Sequence, residues 1–338
     1  MHIFKKTGLM LLSLLLLGGC NVNKSKNKAG DLVIYSPNSQ GIMNAVIPLF
    51  EEKTGINVEV VSGGTGFLME KIESEKNNPQ ADVLFGGTYT QFTTNKHLFQ
   101  DYVSEENEFI LDEYKNADGY LTFTVLDGSV IIVNKALTSD IKIEGYADLL
   151  NEKLLGKIAT ADPQTSSSAF SQLTNMLLAM SDDGTYTSEA SWRYVSNLTE
   201  LLDGKIQSGS SSVYKSVVDG EMWVGLTYED PVATLIKSGA KHIDIVYPKE
   251  GTVFLPAGSA VVKDAKNLAN AHKFIDFILT EEMQNIFGTT LTNRPVRKGA
   301  VVGDHMRPIE EIKVIFEDMD YVHEHKQDII FEYMQIME

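Results

Sequence analysis

The stretch that decides the fold lies at residues 31–88 and reads DLVIYSPNSQGIMNAVIPLFEEKTGINVEVVSGGTGFLMEKIESEKNNPQADVLFGGT. Apolar runs at residues 31–35, 56–61 and 81–85 have the length and the residue types of buried strands. The first strand is followed by apolar residues at helical spacing: Ile42, Ala45, Val46, Leu49 and Phe50. Because strand, loop and helix repeat in this order, the sequence predicts a parallel sheet with helices on its faces.

Each of these strands is followed by a loop rich in Ser, Thr, Asn and Gly. The candidate ligand-binding residues in the three loops are Ser36, Asn38, Ser39, Gly64, Thr65, Gly87 and Thr88. In open α/β sheets, ligands bind at the carboxyl ends of the strands, where these loops lie. Hydroxyls and free N–H groups at helix N-termini also favour anions. The alternative for each loop taken alone is a plain turn or helix cap, which prefers the same residue types.

The rest of the chain repeats the alternation after a long apolar crossing at residues 121–133, in which we expect a turn at Asp127-Gly128. A chain of 338 residues is larger than one hydrophobic core usually serves. The predicted fold class is therefore α/β, with two Rossmann-like lobes joined by a hinge. Residues 31–125 and 260–338 form the first predicted lobe, and residues 126–259 form the second.

The second lobe contains further loops that follow strands and begin helices. In these loops we predict ligand contacts from Thr165, Ser166, Ser167, Ser168, Ser210, Tyr228, Glu229 and Asp230. The hydroxyl-rich loops suit a phosphate or phosphonate group held by neutral N–H and O–H donors. Glu229 and Asp230 suit sugar hydroxyls or an amine at the other end of the ligand. The alternative for Glu229-Asp230-Pro231 is a helix start with acidic residues in its first turn.

The N-terminus has the build of a secretory signal peptide over residues 1–19. Lys5 and Lys6 precede an apolar run that is too short to span a membrane, and small residues follow it. Leu17-Gly18-Gly19-Cys20 resembles the bacterial lipobox. Since this chain has no other cysteine for a disulfide, we predict that Cys20 is lipidated. Residues 20–30 are polar and predict a flexible tether, which would hold the body at the outer face of the cytoplasmic membrane.

The chain is acidic, with a formal net charge of −17. Affinity for nucleic acid depends on cationic contacts to phosphate, so we predict no nucleic-acid partner. A small anionic ligand remains compatible with this charge, because a pocket can be locally positive inside an acidic protein. The histidines are scattered singly, apart from His323-Glu324-His325, whose rings would point apart on a helix. We therefore predict no resident metal and no cofactor.

Several short segments resemble the extracellular solute-binding proteins of bacterial ABC importers. They are Val33-Ile34-Tyr35-Ser36, Phe50-Glu51-Glu52-Lys53-Thr54-Gly55-Ile56, Asn78-Pro79-Gln80-Ala81-Asp82-Val83-Leu84, Ala161-Asp162-Pro163 and Ala271-His272-Lys273-Phe274-Ile275-Asp276-Phe277. The resemblance covers the whole chain and is strongest for the branch that binds ferric iron, phosphorylated sugars or phosphonates. It implies a type II periplasmic-binding-protein fold whose cleft closes on its ligand by a hinge. It also implies a monomer that is not an enzyme and that presents its solute to a membrane permease.

The sequence leaves the ligand class open. In the iron-binding members, two adjacent tyrosines fall where this chain has Thr227-Tyr228-Glu229-Asp230, so that only Tyr228 is phenolic here. This departure favours an organophosphorus anion, either a phosphorylated sugar or an aminophosphonate. Ferric iron is the alternative, with Tyr35, Tyr89 and Tyr214 as further oxygen ligands. The alternative of another class is a lipid-anchored extracellular enzyme, although no nucleophile with a placed base is evident.

Overall fold

The computed structural model describes residues 32–337, in which strands and helices alternate. The strands are β1 (Leu32–Ser36), β2 (Val58–Ser62), β3 (Val83–Thr88), β4 (Phe99–Gln100), β5 (Thr122–Asn134), β6 (Ile158–Ala161), β7 (Ile206–Gln207), β8 (Val224–Tyr228), β9 (Ile243–Val246), β10 (Thr252–Val262), β11 (Arg294–Pro295) and β12 (Val314–Ile315). The predictions of a signal peptide at 1–19, a lipidated Cys20 and a tether at 20–30 lie outside the described residues.

The α-helices occupy most of the segments between the strands. They are α1 (Gln40–Thr54), α2 (Thr65–Glu75), α3 (Tyr89–Thr94), α4 (Ser167–Ala179), α5 (Glu189–Leu202), α6 (Ser210–Val218), α7 (Glu229–Lys237), α8 (Leu268–Leu279), α9 (Glu281–Thr289), α10 (Met319–Glu324) and α11 (Lys326–Met337). The start of α1 is capped by Ser39, whose Oγ accepts a hydrogen bond from the N–H of Ile42 at 3.4 Å. None of the helices within residues 32–337 is both long and apolar enough to cross a membrane.

The strands form one continuous path in the order β2-β1-β3-β10-β5-β8-β6-β7. β1 pairs in parallel with β2 and β3, as the alternation of strands and helices predicts. The N-terminal part of β5, up to Gly128, pairs with β10, whereas its C-terminal part, from Ser129, pairs with β8 and β9. The molecule therefore divides into a first and a second lobe within β5, between Gly128 and Ser129.

The predicted turn at Asp127-Gly128 is wrong, because β5 runs without interruption from Thr122 to Asn134. Gly128 is required for space rather than for a turn. A Cβ at this position would lie 2.5 Å from the ring of Phe254 on the neighbouring strand β10. Two long antiparallel strands thus carry the chain between the lobes and set the position of the cleft.

The core consists of two hydrophobic clusters, of which the first also takes in residues beyond Gly128, such as Val130 and Val217. In the first, the ring of Phe274 meets the rings of Phe50 and Phe85 edge to face, with 5.3 Å between centroids in both pairs. The second is built around side chains such as Tyr146 and Leu173, which are almost fully buried. Burial of these apolar surfaces is the main favourable contribution to folding of each lobe.

The C-terminal region, which the sequence predicts to belong to the first lobe, has contacts in both lobes. Helices α8 and α9 do contribute to the first cluster. After β12 has paired with β10, however, the chain returns to the other lobe, where Val322, Ile329 and Tyr333 are buried in the second cluster. The apolar face of α11 packs against α5, which shields it from solvent. The C-terminal helices are therefore part of the second lobe's core.

Candidate functional site

A cavity of about 570 Å³ lies between the two lobes, where β3, β6 and β8 end. It is lined by Gly87, Thr88, Asp127, Gly128, Ser129, Thr165, Ser166, Ser167, Ser168, Ser171, Gly209, Ser210, Tyr228, Leu255, Pro256 and Ala257. Nine of these sixteen residues carry a hydroxyl group, and Asp127 carries a carboxyl group. Within residues 32–337, no Lys, Arg or His side chain belongs to it. We call it the main cavity.

The N-terminus of α4 opens into the main cavity. β6 ends at Ala161, and the following turn is held by a hydrogen bond from the N–H of Ser166 to the carbonyl of Asp162, at 2.9 Å. The Oγ of Ser166 then caps the helix by accepting from the N–H of Ala169, at 3.3 Å. The N–H groups of Ser167 and Ser168 have no partner inside the helix, because they belong to its first turn. They remain available to a ligand in the cavity.

The N-terminus of α6 also reaches the main cavity, with Gly209 and Ser210 in the lining. Gly209 has no side chain to cap the helix, so the first N–H groups of α6 are left unpaired by the helix itself. Two helices of 13 and 9 residues therefore direct their N-termini at one cavity. Their combined partial positive charges favour negative charge in this cavity without any cationic side chain.

The N-terminus of α7 differs, because a carboxylate already occupies it. The Oδ1 of Asp127 accepts hydrogen bonds from the N–H groups of Glu229 and Asp230, at 3.1 and 3.4 Å. Burial raises the pKa of Asp127 well above its ordinary range, and the neighbouring acids Asp230 and Glu229 raise it further. Sequence reasoning missed Asp127, because its pairing with Gly128 had indicated a turn.

Tyr228 lines the main cavity, as predicted, at the end of β8. Its ring meets that of Tyr214 nearly at right angles, with 6.5 Å between centroids. Burial, followed by the nearby carboxylate of Asp127, raises the pKa of the Tyr228 hydroxyl to about 12. At neutral pH this hydroxyl is therefore a neutral group that can donate a hydrogen bond.

Glu229, predicted to contact the ligand, lies in the core instead. Its side chain is 1% exposed and forms an ion pair with Arg294, whose Nε lies 2.9 Å from Glu229 Oε2. Tyr247 donates a hydrogen bond to the same carboxylate, and Arg294 also donates to the carbonyl of Arg307 at 2.8 Å. Because both of its oxygens accept hydrogen bonds from these groups, the Glu229 carboxylate is a structural link between α7 and β11.

Asp230 and Ser39 are brought together, but away from the main cavity. Both line a separate cavity of about 390 Å³. The Oδ1 of Asp230 accepts a hydrogen bond from the hydroxyl of Thr292 at 2.5 Å, which gives this carboxylate a structural partner. The prediction that Asp230 and Ser39 share the cleft site with the serine loops is therefore not matched by their placement.

The first loop supports the cavity from behind. The Oγ of Ser36 and the Nδ2 of Asn38 both donate to the carbonyl of Phe85, at 2.7 and 3.0 Å. These bonds hold the end of β3, where Gly86 has a φ of 106° that L side chains rarely adopt. Ser36 is fully buried, and neither residue belongs to the main lining. Both predicted residues thus position the backbone of Gly87 rather than face the cavity.

The second loop is also behind the lining. Gly64 and Thr65 are absent from the residues that face the main cavity. Thr65 lies so close to Gly87 that a Cβ on Gly87 would come within 3.1 Å of the Thr65 methyl group. The predicted residues that the structure does bring to the main cavity are Gly87, Thr88, Thr165, Ser166, Ser167, Ser168, Ser210 and Tyr228. Besides Asp127, sequence reasoning missed Ser129, Ser171 and the apolar wall at 255–257.

The structure also bears on metal binding. Over residues 32–337, no group of three or more His, Cys, Asp or Glu side chains is placed to hold a metal ion. Two of the tyrosines suggested as further iron ligands have other partners. Tyr35 donates to Glu75 and Tyr89 donates to Asp320, at 2.8 and 2.9 Å respectively. Of the tyrosines suggested for iron, Tyr228 alone belongs to the lining of the main cavity.

Comparison with known proteins agrees with this architecture. The family described as bacterial extracellular solute-binding protein matches residues 32–290. Iron uptake protein A1 of Synechocystis is 26% identical over 295 residues, covering 84% of this chain and 80% of that protein. A putative 2-aminoethylphosphonate-binding periplasmic protein of Salmonella typhi is 24% identical over 263 residues, covering 75% of this chain and 74% of the relative.

A solved structure agrees over nearly the whole chain. It is the periplasmic binding protein AfuA of Actinobacillus pleuropneumoniae, with fructose-6-phosphate bound. The match has a TM-score of 0.70 at 25% identity and covers 90% of this chain and 98% of that chain. The predicted periplasmic-binding-protein fold is thereby confirmed. The protein belongs to the bacterial extracellular solute-binding proteins, and it is the non-enzymatic solute-binding component of an ABC importer.

Proposed function

We propose that this protein captures a small organophosphorus anion, either a phosphorylated sugar or an aminophosphonate, in the main cavity. The observation that carries the proposal is the convergence of the α4 and α6 N-termini on a cavity lined by hydroxyl groups. Phosphoryl oxygens are hydrogen-bond acceptors, and here they would meet backbone N–H groups and the hydroxyls of Ser167, Ser168 and Ser210. Helix N-termini favour such anions even without a cationic side chain.

The chemistry of Asp127 and Tyr228 fits the same ligand. The raised pKa of Asp127 disfavours the negative charge that would repel an anion in the cavity. The Tyr228 hydroxyl is neutral and adds another donor. Asp127 and Ser129 line this cavity, whereas Glu229 and Asp230, which were expected to contact the other end of the ligand, do not.

The relatives support this ligand class and also supply the alternative. The AfuA structure holds fructose-6-phosphate, and the Salmonella relative is described as binding 2-aminoethylphosphonate. The Synechocystis relative is an iron uptake protein, so ferric iron is the second candidate. For iron, Tyr228 with Asp127 would provide oxygen ligands in the cavity, and Tyr214 lies against the ring of Tyr228. The organophosphorus anion is favoured because the polar groups of the lining are mainly neutral hydroxyls and N–H groups, whereas ferric iron requires several anionic oxygens.

Delivery to the importer completes the proposed function. Lipidation of Cys20 and a tether at residues 20–30 would hold a monomeric body at the outer face of the cytoplasmic membrane, next to its permease. Replacement of Cys20 by alanine would then release the protein from membranes without changing its affinity for the solute.

A thermal-shift panel tests the ligand class. It contains hexose phosphates, aminophosphonates, inorganic phosphate and ferric salts. A ligand at 100 times its dissociation constant adds about 2.7 kcal/mol to the free energy of unfolding, which raises the melting temperature measurably. We expect an organophosphorus compound to give the largest shift. If ferric salts alone shift the melting temperature and colour the protein, the proposal is wrong and iron is the cargo.

The variant Ser167→Ala locates the site. Loss of one hydrogen bond to a charged ligand should weaken binding about ten-fold or more. The matched control is Ser74→Ala on the exposed face of α2, which should bind with wild-type affinity. Equal affinities for the two variants would show that the phosphoryl group does not bind at the α4 N-terminus.

A further inference from the structure

A second cavity of about 320 Å³ adjoins the main one. The two share wall residues from both lobes, including Thr88, Ser167 and Pro256. The far wall of the second cavity comes from the C-terminal strap, which we define as residues 317–326. The strap contributes Glu317, Met319, Val322, His323 and Lys326 to this wall. A solute in the main cavity can thus extend toward the strap without leaving the cleft.

The strap is held by both lobes. On the side of the first lobe, the hydroxyl of Tyr89 on α3 donates to Oδ1 of Asp320 at 2.9 Å. On the side of the second lobe, the N–H of Asp318 donates to the hydroxyl of Tyr186 at 3.1 Å, and the rings of Tyr186 and Tyr321 stack at 5.2 Å. These contacts give the strap a defined position at one end of the cleft.

Glu317 is the unusual member of this wall. Its Oε2 is buried and has no hydrogen-bond partner among the described residues. Burial raises the pKa of Glu317 to about 7, with a smaller contribution from Asp318, while a hydrogen bond with Thr174 opposes the shift. A buried carboxyl oxygen without a partner is unfavourable, so a ligand group that donates to it would be bound selectively.

Two basic side chains in the wall of the second cavity favour a hydroxyl group over an amine in the ligand. The Nζ of Lys326 lies over the ring of Phe170, 4.8 Å from the ring centroid. His323 belongs to the same wall of the cavity. An ammonium group has only donors and would be repelled by Lys326. A hydroxyl group both donates and accepts, so it suits a wall that holds the acceptor Glu317 and the donor Lys326 together.

We propose that the second cavity binds the polyol end of a phosphorylated sugar whose phosphoryl group occupies the main cavity, and that Glu317 accepts a hydrogen bond from a sugar hydroxyl. This inference rests on the proposed function and selects the sugar phosphate over the aminophosphonate. The C-terminal strap is accordingly a part of the binding site that closes one end of the cleft over the sugar.

The test compares two probes in calorimetric titrations: a hexose 6-phosphate, which would span both cavities, and methyl phosphate, which would occupy the main cavity alone. In Glu317→Ala we expect the hexose phosphate to bind at least ten-fold more weakly and methyl phosphate to bind within two-fold of wild type. Glu317→Gln keeps the shape and a weaker acceptor, so it should lose less affinity than Glu317→Ala. If the alanine variant fails to fold, Glu317→Gln alone tests the contact with the sugar.

The outcomes separate the two proposals. If the wild-type protein binds neither probe and no aminophosphonate, the proposed function fails, and this inference fails with it. If both probes bind but the Glu317 variants leave the hexose phosphate unaffected, or weaken both probes equally, the second cavity is not the sugar site and the proposed function stands. A tighter complex of the wild type with an aminophosphonate than with the hexose phosphate would also overturn the inference.

Discussion

Helices α4 and α7 begin at the same cleft, yet one N-terminus is open and the other is closed. The α4 start is capped by the neutral hydroxyl of Ser166, and its next two residues line the main cavity. At α7, the carboxyl of Asp127 accepts from the first two N–H groups, and the first side chain, Glu229, turns into the core. A helix N-terminus is thus an anion site only when the protein leaves its N–H groups unoccupied.

The two helix starts also differ in what they stabilise. Ser167 is exposed and Ser168 is half-buried, and neither belongs to a hydrophobic cluster. Glu229 and Arg294, in contrast, are 1% and 2% exposed and connect residues that are 65 positions apart in the chain. We therefore expect substitutions at α4 to change affinity and substitutions at α7 to change stability.

The largest expected effect is on the α7 side. Arg294→Met leaves the buried carboxylate of Glu229 without its ion-pair partner, and should lower the free energy of unfolding by about 3–5 kcal/mol. Urea unfolding followed by circular dichroism measures this loss. The double variant Glu229→Leu with Arg294→Met removes both charges and should recover part of the lost stability. Single and double variants that unfold like the wild type would show that the pair is not a structural link.

The second-largest expected effect follows from placing a carboxylate at the α4 N-terminus, as Asp127 does at the α7 N-terminus. Ser168→Asp places a carboxylate among the free N–H groups, where it should compete with a phosphoryl ligand and weaken binding about 100-fold. The unfolding midpoint should change little, because an acidic residue is favourable in the first turn of a helix. Ser39→Asp makes the same change at the start of α1, outside the main cavity, and should leave affinity unchanged. Undiminished phosphoryl binding in Ser168→Asp would contradict the assignment of α4.

The smallest expected effect is on the pH dependence of affinity, through the carboxyl group of Asp127 at the α7 N-terminus. As pH rises through the raised pKa of Asp127, its carboxyl loses a proton, and the resulting charge should repel the anion by about 1 kcal/mol, or about five-fold in affinity. Asp127→Asn cannot make this change. The ratio of wild-type to Asp127→Asn affinity for a hexose phosphate should therefore fall as pH rises, and the titration of the ligand itself cancels in this ratio. A ratio that stays constant over the whole pH range in which the protein is folded would show that the charge of Asp127 does not act on the ligand.

The site itself was predictable in part. The loops at residues 165–168 and at Tyr228 reach the main cavity, because the carboxyl ends of strands in the sheet meet at one edge. Glu229 was misjudged, since two neighbours at a helix start point in different directions and only tertiary contacts decide which one is buried. Asp127 was missed because an Asp-Gly pair usually indicates a turn, whereas here the glycine makes room for Phe254 inside a strand.

The sequence by itself determined the alternation of strands and helices, the parallel pairing of the first strands and the hydroxyl-rich loops at their ends. These features depend on periodicity and capping, which act over a few neighbouring residues. Tertiary structure alone decided that Glu229 binds Arg294, that residues after β12 return to the second lobe, and that their strap borders the cleft. Those outcomes depend on contacts between residues far apart in the chain, which local sequence patterns do not encode.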